Sequence, residues 1–273
     1  MKTKMFALLA LTGAMTAATA TASETISVSG STSVTEVMEV LAETYQKSNK
    51  NTFIEVQGTG SSAGVKAAKN GTSMLGMASR SLKDSEKEPA LNETTIARDG
   101  IAIVVNGKNP VANLTKDQIA AIYRGEISNW SQVGGESKPV VVVTRDTASG
   151  TRGAFEDIMK LKRKVNGMSV SAISQRAQVA NGNGVMKTIV ANNPFAIGFI
   201  SLGSVDASVK ALSVDGVAPS VDTVKAGEYQ VARPFLVLHK DANTSDEARK
   251  FLDWVVSAEG QQVVAENGYI AVN

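Results

Sequence analysis

From residue 25 onward, the pattern of polar and apolar residues predicts a strand followed by a helix. Residues 25–29 alternate between polar and apolar side chains, as in a half-buried strand. The apolar residues that follow recur at helical spacing, at Val34, Val37, Met38, Leu41 and Tyr45. Glycine, serine and threonine fill positions 30–33 between them. This segment therefore predicts a strand, a tight hydroxyl-rich turn and a helix.

The same order of patterns recurs twice. Residues 53–56 predict a strand, 58–62 form a Gly/Ser/Thr turn, and 63–70 predict a short helix that ends at Gly71. Later in the chain the apolar run 140–143 predicts a strand, which is followed by a polar turn over 144–151 and a helix over 153–161.

Further apolar runs predict additional strands, at 74–78, 101–105, 195–200, 209–214 and 235–238. Residues 246–258 predict a final amphipathic helix. Strands that alternate with helices indicate an α/β fold with largely parallel sheets.

The pattern breaks near residue 106 and again near residue 232, which predicts two lobes. We assign 23–105 plus 232–273 to lobe 1 and 106–231 to lobe 2. A chain that leaves its first lobe, builds a second and returns makes two crossovers, and these can act as a hinge between lobes that face a cleft.

The first 22 residues have the pattern of a secretion signal. Lys2 and Lys4 precede an apolar stretch over 5–18, and small residues follow at 20–22. We therefore expect residues 1–22 to be removed on export and the product to be periplasmic. The chain has no cysteine, so we expect no lipid anchor, disulfide or thiolate metal site.

Composition and charge narrow the classes of function. The chain has 28 Lys+Arg and 26 Asp+Glu, and the signal holds two of the lysines, so the remainder is formally neutral. This balance does not favour a nucleic-acid partner. Only 5% of residues are aromatic, which argues against a surface that stacks sugars or bases. With one histidine and no calcium-type acidic loop, we expect no metal and no cofactor.

The hydroxyl-rich turns are the strongest candidate chemistry. Each would place backbone N–H groups and hydroxyls at a helix N-terminus, where the helix dipole favours an anion. Arg80 and Arg145 each follow an apolar strand closely. Serine and threonine are also ordinary N-caps, so a single turn of this kind would carry little weight. Three such turns with two arginines predict a site for a tetrahedral oxyanion.

Five stretches of the sequence resemble a known family, the periplasmic phosphate-binding proteins of ABC phosphate importers. These stretches are Gly30–Ser33, Gly58–Val65, Ala78–Arg80, Leu114–Gly135 and Arg145–Thr151. An arginine followed four residues later by Ser-Gly-Thr is the most specific of them. The resemblance implies a two-lobed solute-binding fold, no enzymatic activity, inorganic phosphate as ligand and the permease subunits of an ABC importer as partner. We expect a monomer.

The resemblance also implies a ligand set. It assigns phosphate contacts to Thr32, Ser33, Ser61, Arg80, Arg145, Ser149, Gly150 and Thr151. Arg145 would supply a charged two-pronged contact, while the residues 149–151 would offer hydroxyls and amides from a helix start.

Arg80 departs from the family pattern. Well-known members carry an aspartate here, which accepts the proton of protonated phosphate and so excludes sulfate. If Arg80 faced the ligand, it would favour the phosphate dianion, so binding would strengthen from about pH 6 to about pH 8 and sulfate would compete better. A competing orientation pairs Arg80 with a surface carboxylate such as Asp84.

Two other classes of function compete with a binding protein. Residues 60–64 match the Gly-x-Ser-x-Gly nucleophile motif, so an exported serine hydrolase with Ser62 as nucleophile and His239 as base is an alternative. A purely structural or adhesive exported protein is the other. The basic run 160–164 is interpreted as a solvated helix end.

Overall fold

The computed structural model describes residues 24–272, and the predicted signal at 1–22 lies outside this part of the chain. The strands in it are β1 (Glu24–Gly30), β2 (Thr52–Gly58), β3 (Leu75–Ala78), β4 (Asn92–Val105), β5 (Asn113–Leu114), β6 (Val141–Arg145), β7 (Lys162–Val165), β8 (Met168–Ser171), β9 (Gln178–Ala180), β10 (Ala196–Ser201), β11 (Lys210–Ala211), β12 (Ser213–Val214) and β13 (Ala232–His239). The α-helices are α1 (Thr32–Ser48), α2 (Ser61–Asn70), α3 (Lys116–Arg124), α4 (Gly150–Ile158), α5 (Asn183–Asn192), α6 (Val221–Lys225), α7 (Asp246–Val256) and α8 (Ala258–Glu266).

Nine of these strands form one continuous sheet in the order β2-β1-β3-β13-β4-β10-β6-β9, with β11 also paired to β4. β1 runs parallel to β2 and β3, and β6 runs parallel to β9 and β10. β4 is antiparallel to both β13 and β10. The expectation of largely parallel sheets is therefore wrong at the centre of the sheet, because the long strands that link its two halves run in opposite directions.

Two large hydrophobic cores lie on either side of this central pair of strands. One packs α1 and α7 against the first strands and includes Leu41 and Phe251. The other surrounds Trp130 and the stacked rings of Phe155 and Phe199, whose centroids are 4.1 Å apart. The fold is thus a two-lobed α/β fold.

The change from one core to the other falls within β4 and at the start of β13. Ala97 and Phe235 pack in the first core, whereas Ile101 and Val231 pack in the second. The 101–105 segment, assigned from the sequence to lobe 1, thus has residues in the second core. The lobe boundaries themselves remain a prediction.

Two predicted helix ends differ from the structure. α4 ends at Ile158, and the basic run continues into a β-hairpin of β7 and β8, with a turn at Asn166 and Gly167, both of which have positive φ. The predicted helix 246–258 ends at Val256, because extended Ser257 caps a second helix, α8, by accepting from the Gly260 N–H. No helix within residues 24–272 is both long and apolar enough to cross a membrane.

Candidate anion-binding site

Three helices begin at the place where the two cores face each other. Ser31 caps α1 and accepts from the N–H groups of Ser33 and Val34, each at 3.3 Å. Ser149 caps α4 and accepts from the Arg152 N–H at 3.2 Å. The start of α2 contacts the start of α4, since the Ser62 N–H donates to the Ala148 carbonyl at 3.1 Å. The positive ends of three helix dipoles therefore converge.

Side chains from the two halves of the chain meet between these helix starts. The hydroxyls of Ser33 and Thr151 are 3.0 Å apart, and Arg145 Nη2 donates to Thr32 Oγ1 at 2.9 Å. Gly150 fits against Ser61 so closely that an added Cβ would lie 2.0 Å from Ser61 Oγ. Only glycine allows this approach.

Among the described residues, Arg145 is a buried cation without a carboxylate partner in hydrogen-bond contact. The residue is 1% exposed, and the hydrogen bonds that it makes within residues 24–272 go to Ala180 O, Asn183 Oδ1 and Thr32 Oγ1, all neutral. Burial lowers the pKa of its guanidinium to about 10, although nearby Asp146 opposes this shift. The group is therefore still protonated at neutral pH. A buried charge of this kind favours an anionic partner.

A second buried arginine supports the site from behind. Arg233 on β13 forms an ion pair with Asp99 on β4, with Nη2 2.9 Å from Asp99 Oδ2. Its Nη1 donates to Ser79 Oγ at 3.2 Å, and that hydroxyl accepts from Ser31 Oγ at 2.8 Å. The two crossover strands are thereby connected to the cap of α1.

Comparison with known proteins gives the family. The PBP superfamily domain model matches residues 15–259. A putative phosphate ABC transporter substrate-binding protein from Clostridium perfringens, solved with bound phosphate, is 43% identical; the match covers 92% of this chain and 100% of that one, with a TM-score of 0.86. An ABC-type phosphate transport receptor from Vibrio cholerae is 44% identical, with 91% and 100% covered and a TM-score of 0.77. Phosphate-binding protein PstS of Pseudomonas aeruginosa is 30% identical over 88% of this chain and 81% of its own. The chain belongs to the phosphate-binding proteins of the PBP superfamily.

The structure brings together most of the residues that the resemblance to phosphate-binding proteins assigned to the ligand. Seven of them lie at or between the three helix starts: Thr32, Ser33, Ser61, Arg145, Ser149, Gly150 and Thr151. Their contact with a ligand remains a prediction.

Arg80 is a predicted site residue whose guanidinium pairs with a carboxylate of its own lobe. Its guanidinium forms a two-pronged ion pair with Glu86, with Nη1 2.7 Å from Oε2 and Nη2 2.8 Å from Oε1. It also donates to Ser81 O and Ser62 Oγ. The competing orientation, toward a carboxylate, is thus the one found, with Glu86 in place of Asp84. Ser79, its neighbour, is the residue whose hydroxyl enters the cluster between α1 and α2.

The residues of the hydrolase alternative do not meet. Ser62 Oγ accepts from Arg80 Nη2, whereas His239 contacts Asn92 and Asp241 at the end of β13. Burial lowers the pKa of the His239 imidazole, which Asp241 opposes. A serine hydrolase needs the base within hydrogen-bond reach of the nucleophile, and the structure gives no such contact. Within residues 24–272 no group of three or more His, Cys, Asp or Glu side chains could hold a metal ion.

Sequence reasoning missed Arg233, Asp99 and Asn183. Arg233 carried one usable signal, a charge at the start of an apolar strand and next to a predicted lobe boundary. Asn183 lies within the Gly-rich segment Asn181–Gly184, in a region for which no helix was predicted. Asn183 contacts Ser33 and Arg145, which lie 150 and 38 residues before it in the chain, so no local sequence pattern indicates these contacts.

Proposed function

We propose that this chain binds inorganic phosphate between its two lobes and delivers it to an ABC-type importer. The observation that carries the proposal is Arg145, a buried guanidinium that hydrogen-bonds only neutral oxygens among the described residues. A phosphate anion would offset the cost of burying this charge and would accept charge-assisted hydrogen bonds from it. The names of the relatives agree with this ligand.

The remaining contacts come from the helix starts. Thr32 and Ser33 on α1, Ser61 on α2, and Ser149, Gly150 and Thr151 on α4 supply hydroxyls and backbone N–H groups. Oriented N–H groups at helix N-termini suit a compact oxyanion with several acceptor oxygens. Arg80 acts outside this set, because Glu86 occupies its guanidinium.

Burial of the site supports a small ligand. Ser33 and Ser61 are 0% exposed and Thr151 is 1% exposed. Inorganic phosphate would fit such an enclosed site, whereas a phosphate ester would have to place its organic group among these side chains. Release then requires the lobes to separate. We infer that the hinge lies where β4 and β13 pass from one core to the other, near Gly100 and Ala232.

The family and the N-terminal pattern support a cellular setting for this role. We propose export to the periplasm, a monomeric receptor, and permease subunits of the importer as the partner. No covalent bond is made or broken in this role.

Thermal unfolding tests the ligand. Phosphate that binds only the folded chain stabilises it by RT ln(1 + [L]/Kd), about 2.7 kcal/mol at 100 times Kd. We expect the melting temperature to rise with phosphate concentration and to stay constant when chloride is added at the same ionic strength. A melting temperature that does not change in millimolar phosphate would contradict the proposal.

A further inference from the structure

Glu36 connects two parts of the chain that pack in different cores. It lies in α1, five residues after its Ser31 cap, and α1 packs in the first core. Its Oε1 accepts from Asn183 Nδ2 at 2.9 Å, and its Oε2 accepts from the Ser204 hydroxyl. Asn183 begins α5, and α5 packs against the second half of the sheet through Met186 and Val190. Leu202 and Val205, on either side of Ser204, also pack against this second core. Both donors to this carboxylate therefore come from the opposite lobe.

Asn183 joins this contact to the anion-binding residues. Asn183 is 2% exposed, and its Oδ1 accepts from Arg145 Nη1 at 3.3 Å. Its Nδ2 donates to Ser33 Oγ at 3.4 Å as well as to Glu36 and Ser204. One amide thus orients a cation of one lobe and a hydroxyl of the other.

We propose that Glu36, Asn183 and Ser204 form an interlobe clasp that holds the lobes closed and so sets how long phosphate stays bound. The clasp rests on the proposed function. Glu36 and Ser204 are positioning residues, which act by closing the lobes. Asn183 also positions Arg145 and Ser33. The bonds of Glu36 can form only when the two lobes are together, so they stabilise the closed form and not the open one.

Because Glu36 is negatively charged, a clasp and simple electrostatic repulsion predict opposite changes in phosphate binding when Glu36 is removed. A carboxylate near a bound anion repels it, so electrostatics alone would make phosphate bind more tightly when Glu36 is removed. The clasp gives the opposite result, because loss of two hydrogen bonds to a charged group weakens the closed form. It acts on dissociation, since the encounter with the open form does not involve these bonds.

Stopped-flow measurement of phosphate association and dissociation separates the two effects. We expect Glu36→Ala and Asn183→Ala each to release phosphate about tenfold faster. Glu36→Gln, which keeps an acceptor for Asn183, should show a smaller increase. Glu39→Ala is the matched control, because Glu39 is exposed on the same helix three residues further on. The association rate of Glu36→Ala should stay within about twofold of the wild type.

The double variant Glu36→Ala/Asn183→Ala tests whether the residues act together. A clasp predicts that it releases phosphate more slowly than the product of the two single effects would give. Unchanged or slower release from Glu36→Ala, in a variant that melts cooperatively, would overturn the clasp. A wild-type chain that shows no phosphate binding would overturn the proposed function instead.

Discussion

Ser79 and Arg80 are neighbours in the chain with different surroundings. They follow strand β3 at a bend in the chain. Ser79 Oγ lies among the hydroxyls of Ser31 and Ser61, whereas Arg80 pairs with Glu86. The Arg80 side chain is 5% exposed and that of Glu86 is 17% exposed, so the ion pair is largely shielded from water. Arg80 therefore has a structural role next to the site.

We expect Arg80→Ala to leave the phosphate-to-sulfate affinity ratio unchanged and to lower the free energy of unfolding by roughly 3 kcal/mol, because Glu86 loses its buried partner. Lys87→Ala is the control, since it breaks only an exposed pair with Asp84 and should cost under about 0.5 kcal/mol. Competition titrations and urea unfolding measure the two quantities. A changed phosphate-to-sulfate affinity ratio would instead indicate that Arg80 contacts the ligand.

The pH dependence of that stability loss has a definite sign. Burial alone would raise the pKa of Glu86, but its hydrogen bonds to Arg80 and to the Lys83 N–H outweigh burial and lower the pKa. A carboxyl group whose pKa is lower in the folded chain than in the unfolded chain stabilises the fold at pH values above its unfolded pKa. This stabilisation is lost as the pH falls through the folded pKa. The difference between wild type and Arg80→Ala should therefore shrink below pH 4.5, the ordinary glutamate value.

At the residue scale the sequence indicated which side chains carry charge and hydroxyls, but not which way each one faces. Ser79 and Arg80 lie in a bend after β3, where strand alternation no longer indicates the direction of a side chain. The Arg233–Asp99 pair could not be found from a local pattern either. Its partners lie 134 positions apart in the chain and meet only because β13 and β4 pair with Arg233 opposite Asp99.

At the element scale, the helix starts link stability to ligand contact. Ser149 and Ser245 both cap helices, accepting from the N–H of Arg152 and Ala248. We expect Ser149→Ala and Ser245→Ala each to lower the free energy of unfolding by about 1 kcal/mol. Only Ser149→Ala should also weaken phosphate binding, as measured by calorimetry. Equal phosphate affinities in the two variants would show that the Ser149 hydroxyl does not contribute to phosphate binding.

Elements set by local signals were predictable from the sequence. The capping box at Thr115 and Gln118 is present at the start of α3, and α2 ends at Gly71 in the left-handed conformation. The direction of β4 and the β7–β8 hairpin were not predictable in this way. Both depend on pairing with strands elsewhere, and a run such as Lys162–Lys164 carries no apolar period to indicate its state.

At the scale of the whole molecule, the proposed closure of the lobes depends on Gly150. An alanine Cβ there would lie 2.0 Å from Ser61 Oγ and 2.7 Å from Ser79 Oγ, so the two lobes would have to separate. We expect Gly150→Ala to weaken phosphate binding at least tenfold and to keep a larger radius of gyration in saturating phosphate than the wild type. Small-angle scattering measures this.

Gly184→Ala is the matched control for closure, because it also lies at a helix start and an added Cβ there meets no atom within 4 Å. The radius of gyration of Gly184→Ala should decrease in saturating phosphate as much as that of the wild type. If Gly150→Ala compacted equally, contact between α4 and α2 would not be required for closure.

Calorimetric titration with phosphate tests the central claim most directly. We expect one saturable site per chain in the wild type, and a loss of at least about 2 kcal/mol, or roughly thirtyfold, in Arg145→Ala. Arg163→Ala, which removes an exposed arginine of the β7–β8 hairpin, should bind as the wild type does. No saturable binding to the wild type, or an equal loss in both variants, would contradict a phosphate site built around Arg145.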